Sequence, residues 1–575
     1  MSAPAEDSFL VRHGGFLVAA VLAALVCFTQ FHSPLQEPQE ARYAEIPRQM
    51  LAEGSFVVPV LHGQPYYDKP PLFYWTVMAS YALFGVHDWA ARLVACTVAF
   101  LCILVVHGWA WRTAGARAAL LCAVILCLSP RFIQLARMVT MDGLLCLWVV
   151  SAWAAASIAL RKQSEPSQAT VSGCHAHRFG WACERLHVPP GTPTQSGGRG
   201  TEISMGWLLS AVACGLGLLT KGPVALVLVL VPLLAWSCLD RETQRPTLRM
   251  LAVYAAVSIG LAAPWFVAVA LRDSSFLEYF FWRHHVERYV DPFDHAEPFW
   301  YYLPELLGGM LPWTLLLPGV ARSVCKGDGA AVRCGLIAAA WCVCFFSLAG
   351  CKRAFYILPA MPALALALGS WLDQTMPRGI SSADAWRQLV EHRSPVAFRL
   401  LLVALLLGGG GTLTATISGL LTPTVGVLAI GAMLGGGILA LAAGKSRQWQ
   451  ASWLPCGLTM TLLVLASAQF LLPSYARRFS LRGQIAAHAV LTDVPVYSYP
   501  RRWDSVSFYL QRGDVQSFTP DRLPQLMEEL LQQPEALLFI KARHEDVLAQ
   551  LPPALAFERV GRQGALIVGR VVRAD

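Results

Sequence analysis

Charge is scarce in this chain. Of its 575 residues only 14% are Asp, Glu, Lys or Arg, against 55% hydrophobic ones. A soluble globular protein carries charge on about a quarter of its residues, so an ordinary soluble domain is excluded. No repeat with a period of roughly 20–50 residues recurs, which excludes a solenoid or propeller. No glycine-rich phosphate loop stands between a strand and a helix, so a nucleotide site has no support. Cysteine is absent after Pro473. Elsewhere Cys96, Cys102, Cys122, Cys127, Cys146 and Cys214 sit inside apolar runs, where thiols act as small core hydrophobes rather than as a disulfide framework. The net charge of +9 is spread over loops and forms no patch for nucleic acid.

Apolar runs fill the space that charge leaves. They cover residues 16–31, 93–111, 119–129, 138–160, 205–219, 224–239, 251–271, 334–348, 355–372, 400–421, 425–443 and 454–472. Many approach the roughly 20 residues of a bilayer crossing, and such numbers imply an α-helical polytopic membrane protein of about thirteen transmembrane helices. Polar Gln30 and His32 end the first run without a small-residue cleavage site, so it reads as an uncleaved span rather than a signal peptide. With the N-terminus inside, the inner segments hold Arg112, Arg117, Arg161, Lys162, Arg241, Arg245, Arg322, Lys326, Lys445 and Arg447, in keeping with the positive-inside rule. Every unusual polar motif then falls on the outer side.

After Pro473 the pattern changes. "VPVYSYP", "DVQSFTP", "EALLFIKA" and "GALIVGRVV" read as short strands, and "DRLPQLMEELLQQ" and "HEDVLAQL" as helices. The expected organisation is a membrane domain over 1–472 and a small extracytoplasmic α/β domain over 473–575. Residues 163–204, rich in Ser, Gly, Pro and Thr, read as a flexible cytoplasmic insert. Its "CHAHRFGWACERLH" does not have the spacing of a standard zinc finger.

Each outer motif has a functional and a plain reading. "EPQEARYAEIPRQML" puts Glu37, Glu40, Arg42, Glu45 and Arg48 into the first outer loop, 32–90, either toward a substrate or as ion pairs on an interfacial helix. In "YYDKPP", Lys69 lies between Asp68 and two prolines that stiffen the backbone, which suits a phosphate headgroup; the alternative is a snorkelling lysine. Asp142 near a span entrance is either a functional intramembrane acid or a dipole-favoured helix start. Lys221 precedes a Gly-Pro turn, and Lys352, Arg353 and Tyr356 follow an apolar span. "FFWRHHVERY" carries His284 and His285, with His295 further on; beside an acid such as Asp68 a histidine could bind a divalent metal, or be an interfacial histidine without one.

In chain order, "EARYAEIPRQML", "YYDKPPLFYW", "LLTKGPVAL", "FFWRHHVERY", "PFWYYLPELL", "LPWT" and "KRAFYILPAMPALAL" resemble the GT-C membrane glycosyltransferases. The likeness is greatest to the bacterial aminoarabinose (4-amino-4-deoxy-L-arabinose) transferases, relatives of the protein O-mannosyltransferases, over about residues 37–366. That resemblance implies a bacterial inner-membrane enzyme with its site on the periplasmic face. It would move a monosaccharide from a polyprenyl-phosphate donor to an envelope lipid, glycan or protein acceptor, without a nucleotide. It further implies that Lys69 binds the lipid phosphate, that Arg42 and Tyr43 line the same cavity, and that Lys221, Lys352 and Tyr356 lie in motifs lining the donor or acceptor site. Asp68 and His284 would hold a divalent ion (zinc, magnesium or manganese), and Asp142 would be an acidic cavity residue. There is one departure. Gln39-Glu40 stands where the family has Asp-Glu, and an amide cannot accept a proton near neutral pH. Three readings stay open: Glu40 or Glu37 substitutes as the catalytic carboxylate, with Glu40 the candidate; the acceptor is an ionised phosphate that needs no base; or the protein binds the lipid without turnover. A lipid-linked sugar flippase and a noncatalytic lipid-binding sensor are the rival classes. The clustering of polar motifs at one face speaks against the first, and the retention of Lys69, Asp142 and His284 against the second.

Overall fold

The computed structural model describes residues 6–29, 31–161, 203–290, 295–325, 329–375, 494–563 and 566–574, with isolated positions 416, 427, 430, 431, 482 and 483. The described chain is mostly helical. Ten helices come first: α1 (Glu6–Phe28), α2 (Gln39–Glu53), α3 (Leu72–Phe84), α4 (Asp88–Ala114), α5 (Ala116–Cys127), α6 (Pro130–Ala136), α7 (Met141–Leu160), α8 (Met205–Lys221), α9 (Val224–Leu239) and α10 (Leu248–Ala270). A π-helical stretch, Glu278–Glu287, and helices Tyr302–Gly309, Ala330–Leu348 and Ala360–Thr375 follow.

Among the described residues five helices are long and apolar enough to cross a membrane, or seven if two bent pairs each count as one span. One of those pairs, α5 with α6, is bent by 72° where Pro130 opens the second helix. The expected spans at 400–421, 425–443 and 454–472 and the insert 163–204 fall outside the described residues, apart from a few isolated positions. Residues 72–84 form a helix of 13 residues with Tyr74 and Tyr81 buried.

One continuous apolar core joins α1 to α9 and the Ala330–Leu348 and Ala360–Thr375 helices. Two indole donors inside it are paired: Trp109 donates to Ser157 Oγ at 2.7 Å and Trp153 to the Leu228 carbonyl at 3.1 Å. Without those partners each buried N–H would lose its hydration uncompensated. Ser204 and Thr247 cap the starts of α8 and α10 through their hydroxyls.

The amphipathic α2 is set apart from the spans. Gly54, in the left-handed conformation at φ 66°, ends it and donates to the Leu51 carbonyl. A two-stranded hairpin follows, β1 (Val60–Leu61) and β2 (Gln64–Pro65), with His62 and Gly63 at positive φ in its turn.

Near the C-terminus five strands form one mixed sheet in the order β4-β3-β5-β7-β6: β3 (Val496–Tyr499), β4 (Gln516–Ser517), β5 (Glu535–Lys541), β6 (Leu555–Gln563) and β7 (Leu566–Arg573). β3 runs parallel to β4 and β5, and β7 antiparallel to β5 and β6. Helix Leu523–Gln532 covers one face through Leu526 and Leu530. The short helix Asp504–Leu510 packs Val506 against the other face and Phe508 into the membrane-helix core. Two residues apart on a helix are about 200° apart around it, so this one element pins sheet to bundle.

Candidate active site

The site forms where α2, the loop before α3, the start of α7, the end of α8 and the π-helical stretch meet. Arg42 and Tyr43 lie on the flank of α2 toward α3, with Tyr43 6.4 Å from the rings of Phe73 and Tyr74. In the loop before α3, Asp68 Oδ1 accepts from the Tyr279 hydroxyl at 2.5 Å. Lys69 donates to the Asp68 carbonyl at 3.0 Å, and its ammonium also meets His284 Nε2. Pro70 and Pro71 follow directly, fixing the backbone that carries both side chains.

Charge of one sign crowds here. Loss of hydration pushes the Lys69 ammonium down to about 7; Asp68 opposes that, while Lys221 and Arg288 add to it. His284 is driven far below the usual imidazole range by burial and then by Lys69, so it is neutral and presents a lone pair to the ammonium. His285 falls to about 4, again through burial and then Lys69; its Nδ1 lies 2.6 Å from the Phe280 carbonyl.

Asp142 and Lys221 form a buried pair with Nζ 2.5 Å from Oδ1. Asp142 stands in the first turn of α7 and Lys221 in the last turn of α8, so each also suits its helix dipole. Gly222, at φ 80°, ends α8 where a Cβ would meet the Phe280 ring at 2.8 Å, which lets the Lys221 turn close on the π-helical stretch. Lys221 Nζ lies 4.0 Å from the centre of the Tyr356 ring. Burial and the Asp142 charge push the Tyr43 phenol up to about 12, with Arg353 and Arg42 opposing. These couplings tie Arg42, Tyr43, Asp68, Lys69, Asp142, Lys221, His284 and Tyr356 into one polar layer.

Two expected site residues are engaged in hydrogen bonds to their surroundings. Glu40 is sealed from solvent, and each carboxylate oxygen accepts two hydrogen bonds: Oε1 from Arg92 at 2.6 Å and the Val139 amide at 2.9 Å, Oε2 from Arg92 at 2.9 Å and the Gln36 amide at 3.0 Å. In this arrangement each Glu40 oxygen is filled by two donors and has no free lone pair for an acceptor proton. Lys352 is buried, and its ammonium donates to the Ala349 carbonyl at 2.5 Å and the Glu297 carbonyl at 2.9 Å, closing the end of helix Ala330–Leu348. Its neighbour Arg353 is the cation coupled to Tyr43.

Other members were not singled out in the sequence. The Tyr74 hydroxyl is buried with no hydrogen-bond partner among the described residues, and it couples to Tyr43, Asp68 and Arg42. Tyr279 holds Asp68. His62 and Asp504 meet beside Arg42: Asp504 Oδ2 accepts from Arg42 Nε at 3.2 Å, and His62 Nε2 lies 2.7 Å from Oδ1. Tyr279 directly precedes the histidine motif and could have been read with it. Asp504 had no signal.

Among the described residues no three His, Cys, Asp or Glu side chains group as metal ligands. Asp68 and His284, a carboxylate and a neutral imidazole, are suitable donor types. In this arrangement Tyr279 engages the carboxylate and Lys69 the imidazole nitrogen.

Residues 68–176 match the family model described as dolichyl-phosphate-mannose-protein mannosyltransferase. The chain is 30% identical over 558 residues to undecaprenyl phosphate-alpha-4-amino-4-deoxy-L-arabinose arabinosyl transferase 1 of Sodalis glossinidius, covering 90% of this chain and 91% of that protein. It is 33% identical over 367 residues to the transferase of that name from Aeromonas salmonicida, covering 61% of this chain but 59% of the relative, less than two thirds of its length. In fold it is similar to the crystal structure of ArnT from Cupriavidus metallidurans bound to undecaprenyl phosphate, with a TM-score of 0.71, 22% identity and coverage of 96% and 97% of the two chains. The apo structure of that protein gives 0.69, with 21% identity and the same coverage.

Proposed function

The chain belongs to the family of undecaprenyl phosphate-4-amino-4-deoxy-L-arabinose arabinosyl transferases, GT-C membrane glycosyltransferases, and from that membership we propose that it transfers a monosaccharide from a polyprenyl-phosphate donor to an envelope lipid, glycan or protein. The observation that carries the proposal is the crowding of Lys69, Lys221 and Arg288 around two imidazoles of low proton affinity, which a lipid phosphate would relieve. The layer lies at the periplasmic face of the inner membrane, with the C-terminal sheet on the same side as an extracytoplasmic α/β domain. The positive-inside pattern supports that orientation.

In the transfer the bond from the sugar's anomeric carbon to the phosphate oxygen breaks, and its electron pair leaves with the polyprenyl phosphate. A new bond forms from the same carbon to an acceptor oxygen. Lys69 and Arg42 donate to the departing phosphate as its charge grows, which lowers the barrier because they are already in place. Tyr43, Tyr356 and the buried Tyr74 hydroxyl line the sugar and headgroup region. With Gln39 an amide and Glu40 saturated, Asp142 is the carboxylate assigned to orient the acceptor, steadied by Lys221. A phosphate acceptor would arrive without a proton to remove, and a hydroxyl acceptor would pass its proton to the departing phosphate as that group gains charge. Asp68 and His284 would hold a divalent ion if Lys69 swung off the imidazole, and that ion would supply further positive charge to the phosphate.

The test is transfer from labelled polyprenyl-phosphate sugars in membranes containing the full chain, with Lys69→Ala as the matched control. Release of polyprenyl phosphate together with a labelled acceptor, lost in the variant, is the expected result. Donor movement across the membrane without cleavage would replace the proposal with a flippase. Tight donor binding without turnover over a broad panel would replace it with a lipid-binding role.

A further inference from the structure

Arg42 is anchored from outside the helical bundle. Its Nε donates to Asp504 Oδ2 at 3.2 Å, and Asp504 belongs to the short helix under the C-terminal sheet, 462 positions further along the chain. The same carboxylate meets His62 Nε2 at 2.7 Å through its other oxygen. Neighbouring contacts reinforce the junction: the Ser505 amide donates to Glu37 Oε1 at 2.5 Å, the Leu35 amide to the Tyr509 hydroxyl at 2.9 Å, and Arg48 to the Arg512 carbonyl at 3.3 Å.

Stability alone does not account for this arrangement. Arg42 keeps 43% of its side chain exposed while Asp504 is only 3% exposed. A buried carboxylate facing a half-open cation loses its own hydration for a Coulombic return that solvent screens. His62 reaches it only from a left-handed backbone, φ 61°, in a turn where Asn or Gly is the usual occupant. What the arrangement does achieve is directional. Asp504 takes the Nε edge of the guanidinium and leaves both Nη groups without a partner among the described residues. Arg42 is also coupled to Tyr43 and Tyr66, which face the polar layer. A planar guanidinium held by one edge presents the other as a fork, the geometry that matches a phosphate.

We propose that Asp504 is a positioning residue: braced by His62, it fixes the Arg42 fork toward the lipid phosphate, so that the C-terminal unit is part of the site rather than a cap over it. This rests on the transferase reading, in which Arg42 meets the donor phosphate.

The experiment measures binding of undecaprenyl phosphate, and of undecaprenol as the uncharged control, to the detergent-solubilised full chain. Asp504→Ala and Arg42→Ala should each weaken undecaprenyl phosphate by on the order of tenfold or more and leave undecaprenol unchanged. The double variant should be no weaker than Arg42→Ala alone, because Asp504 acts only through Arg42. His62→Ala should give a smaller loss in the same direction. If Asp504→Ala lowers the melting temperature enough to confuse the reading, Asp504→Asn replaces it, which keeps the shape and an acceptor oxygen but not the charge. Additive losses, or an Asp504 variant that binds like wild type while Arg42→Ala does not, would overturn the inference and leave the transferase reading standing. A wild type that binds undecaprenyl phosphate no better than undecaprenol would overturn both.

Discussion

On one flank of α2, Glu40 is closed off from solvent and saturated by Arg92 and two amides; on the other flank, two residues further on, Arg42 commits a single edge to Asp504 and keeps 43% of its side chain exposed. Two positions along a helix separate side chains by about 200°, so the flanks face different surroundings although the sequence sets them almost side by side. The inner flank meets α4 and the turn before α7, where charge must be fully paired to be tolerated. The outer flank meets the loop before α3 and the C-terminal unit, where same-sign charge is held close and partly open. Saturated charge holds the scaffold, and unsaturated charge marks the place for an anion. Composition does not distinguish the two, but their partners do.

The largest expected effect tests the inner flank. Glu40→Ala should leave Arg92 buried without its carboxylate and cost about 3–5 kcal/mol, seen as a large drop in melting temperature and in the yield of monodisperse protein in detergent. If Glu40→Ala folds normally but loses turnover, the two flanks have been assigned the wrong way round. On the outer flank Lys69→Ala should do the opposite: the melting temperature holds or rises, because a crowded cation has gone, while kcat falls by on the order of 100-fold or more.

A smaller effect is expected at Tyr74. Its hydroxyl is buried and unpaired among the described residues, so removing it as Tyr74→Phe should stabilise the empty protein by about 1 kcal/mol or leave it unchanged. The same variant should weaken donor binding several-fold if the hydroxyl receives the sugar or its phosphate. A variant that melts higher and binds donor like wild type would remove Tyr74 from the site.

Much of this contrast was legible in the sequence, though not which side each residue falls on. Short motifs announced Lys69, Asp142, Lys221, His284 and Tyr356, because a charged or aromatic residue beside Pro, Gly or a span end has few plain uses. Glu40 looked equally functional, since its partner Arg92 stands 52 positions away inside an apolar helix and leaves no mark on the α2 motif. "KR" at 352–353 sets two cations side by side, but a chain turning at a helix end sends Lys352 inward to carbonyls while Arg353 couples to Tyr43. Asp504 was hidden for a similar reason. "DSVSFYL" is a seven-residue helix rich in Ser and without a repeating apolar face, and what stabilises it is the sheet on one side and the bundle on the other. The strand β6, "LAFERVGRQ", escaped notice because its charged residues break up the kind of short apolar run that marked β5 and β7.

The outer flank also contains a like-charge contact, and it yields the smallest effect. Glu37 lies beside Asp504, and burial together with the Asp504 charge raises its carboxyl from 4.5 to about 7, with the Ser505 hydrogen bonds opposing. A carboxyl whose folded-state value is raised binds more protons in the folded protein than in the unfolded one between those two values. Stability attributable to Glu37 is therefore intact below about pH 4.5 and declines as pH rises toward about 7, after which the penalty is constant. Glu37→Gln keeps the shape and the acceptor oxygen for the Ser505 amide but cannot ionise. It should melt close to wild type at pH 5 and above it at pH 8, measured on the full chain in detergent. The comparison with Asp504→Asn is decisive, because that variant removes the opposing charge from the other side. In its presence the Glu37→Gln gain at pH 8 should shrink. A gain at pH 8 of the same size with and without Asp504→Asn would mean that Glu37 and Asp504 do not share a field, and the outer flank would then be open at Arg42 alone.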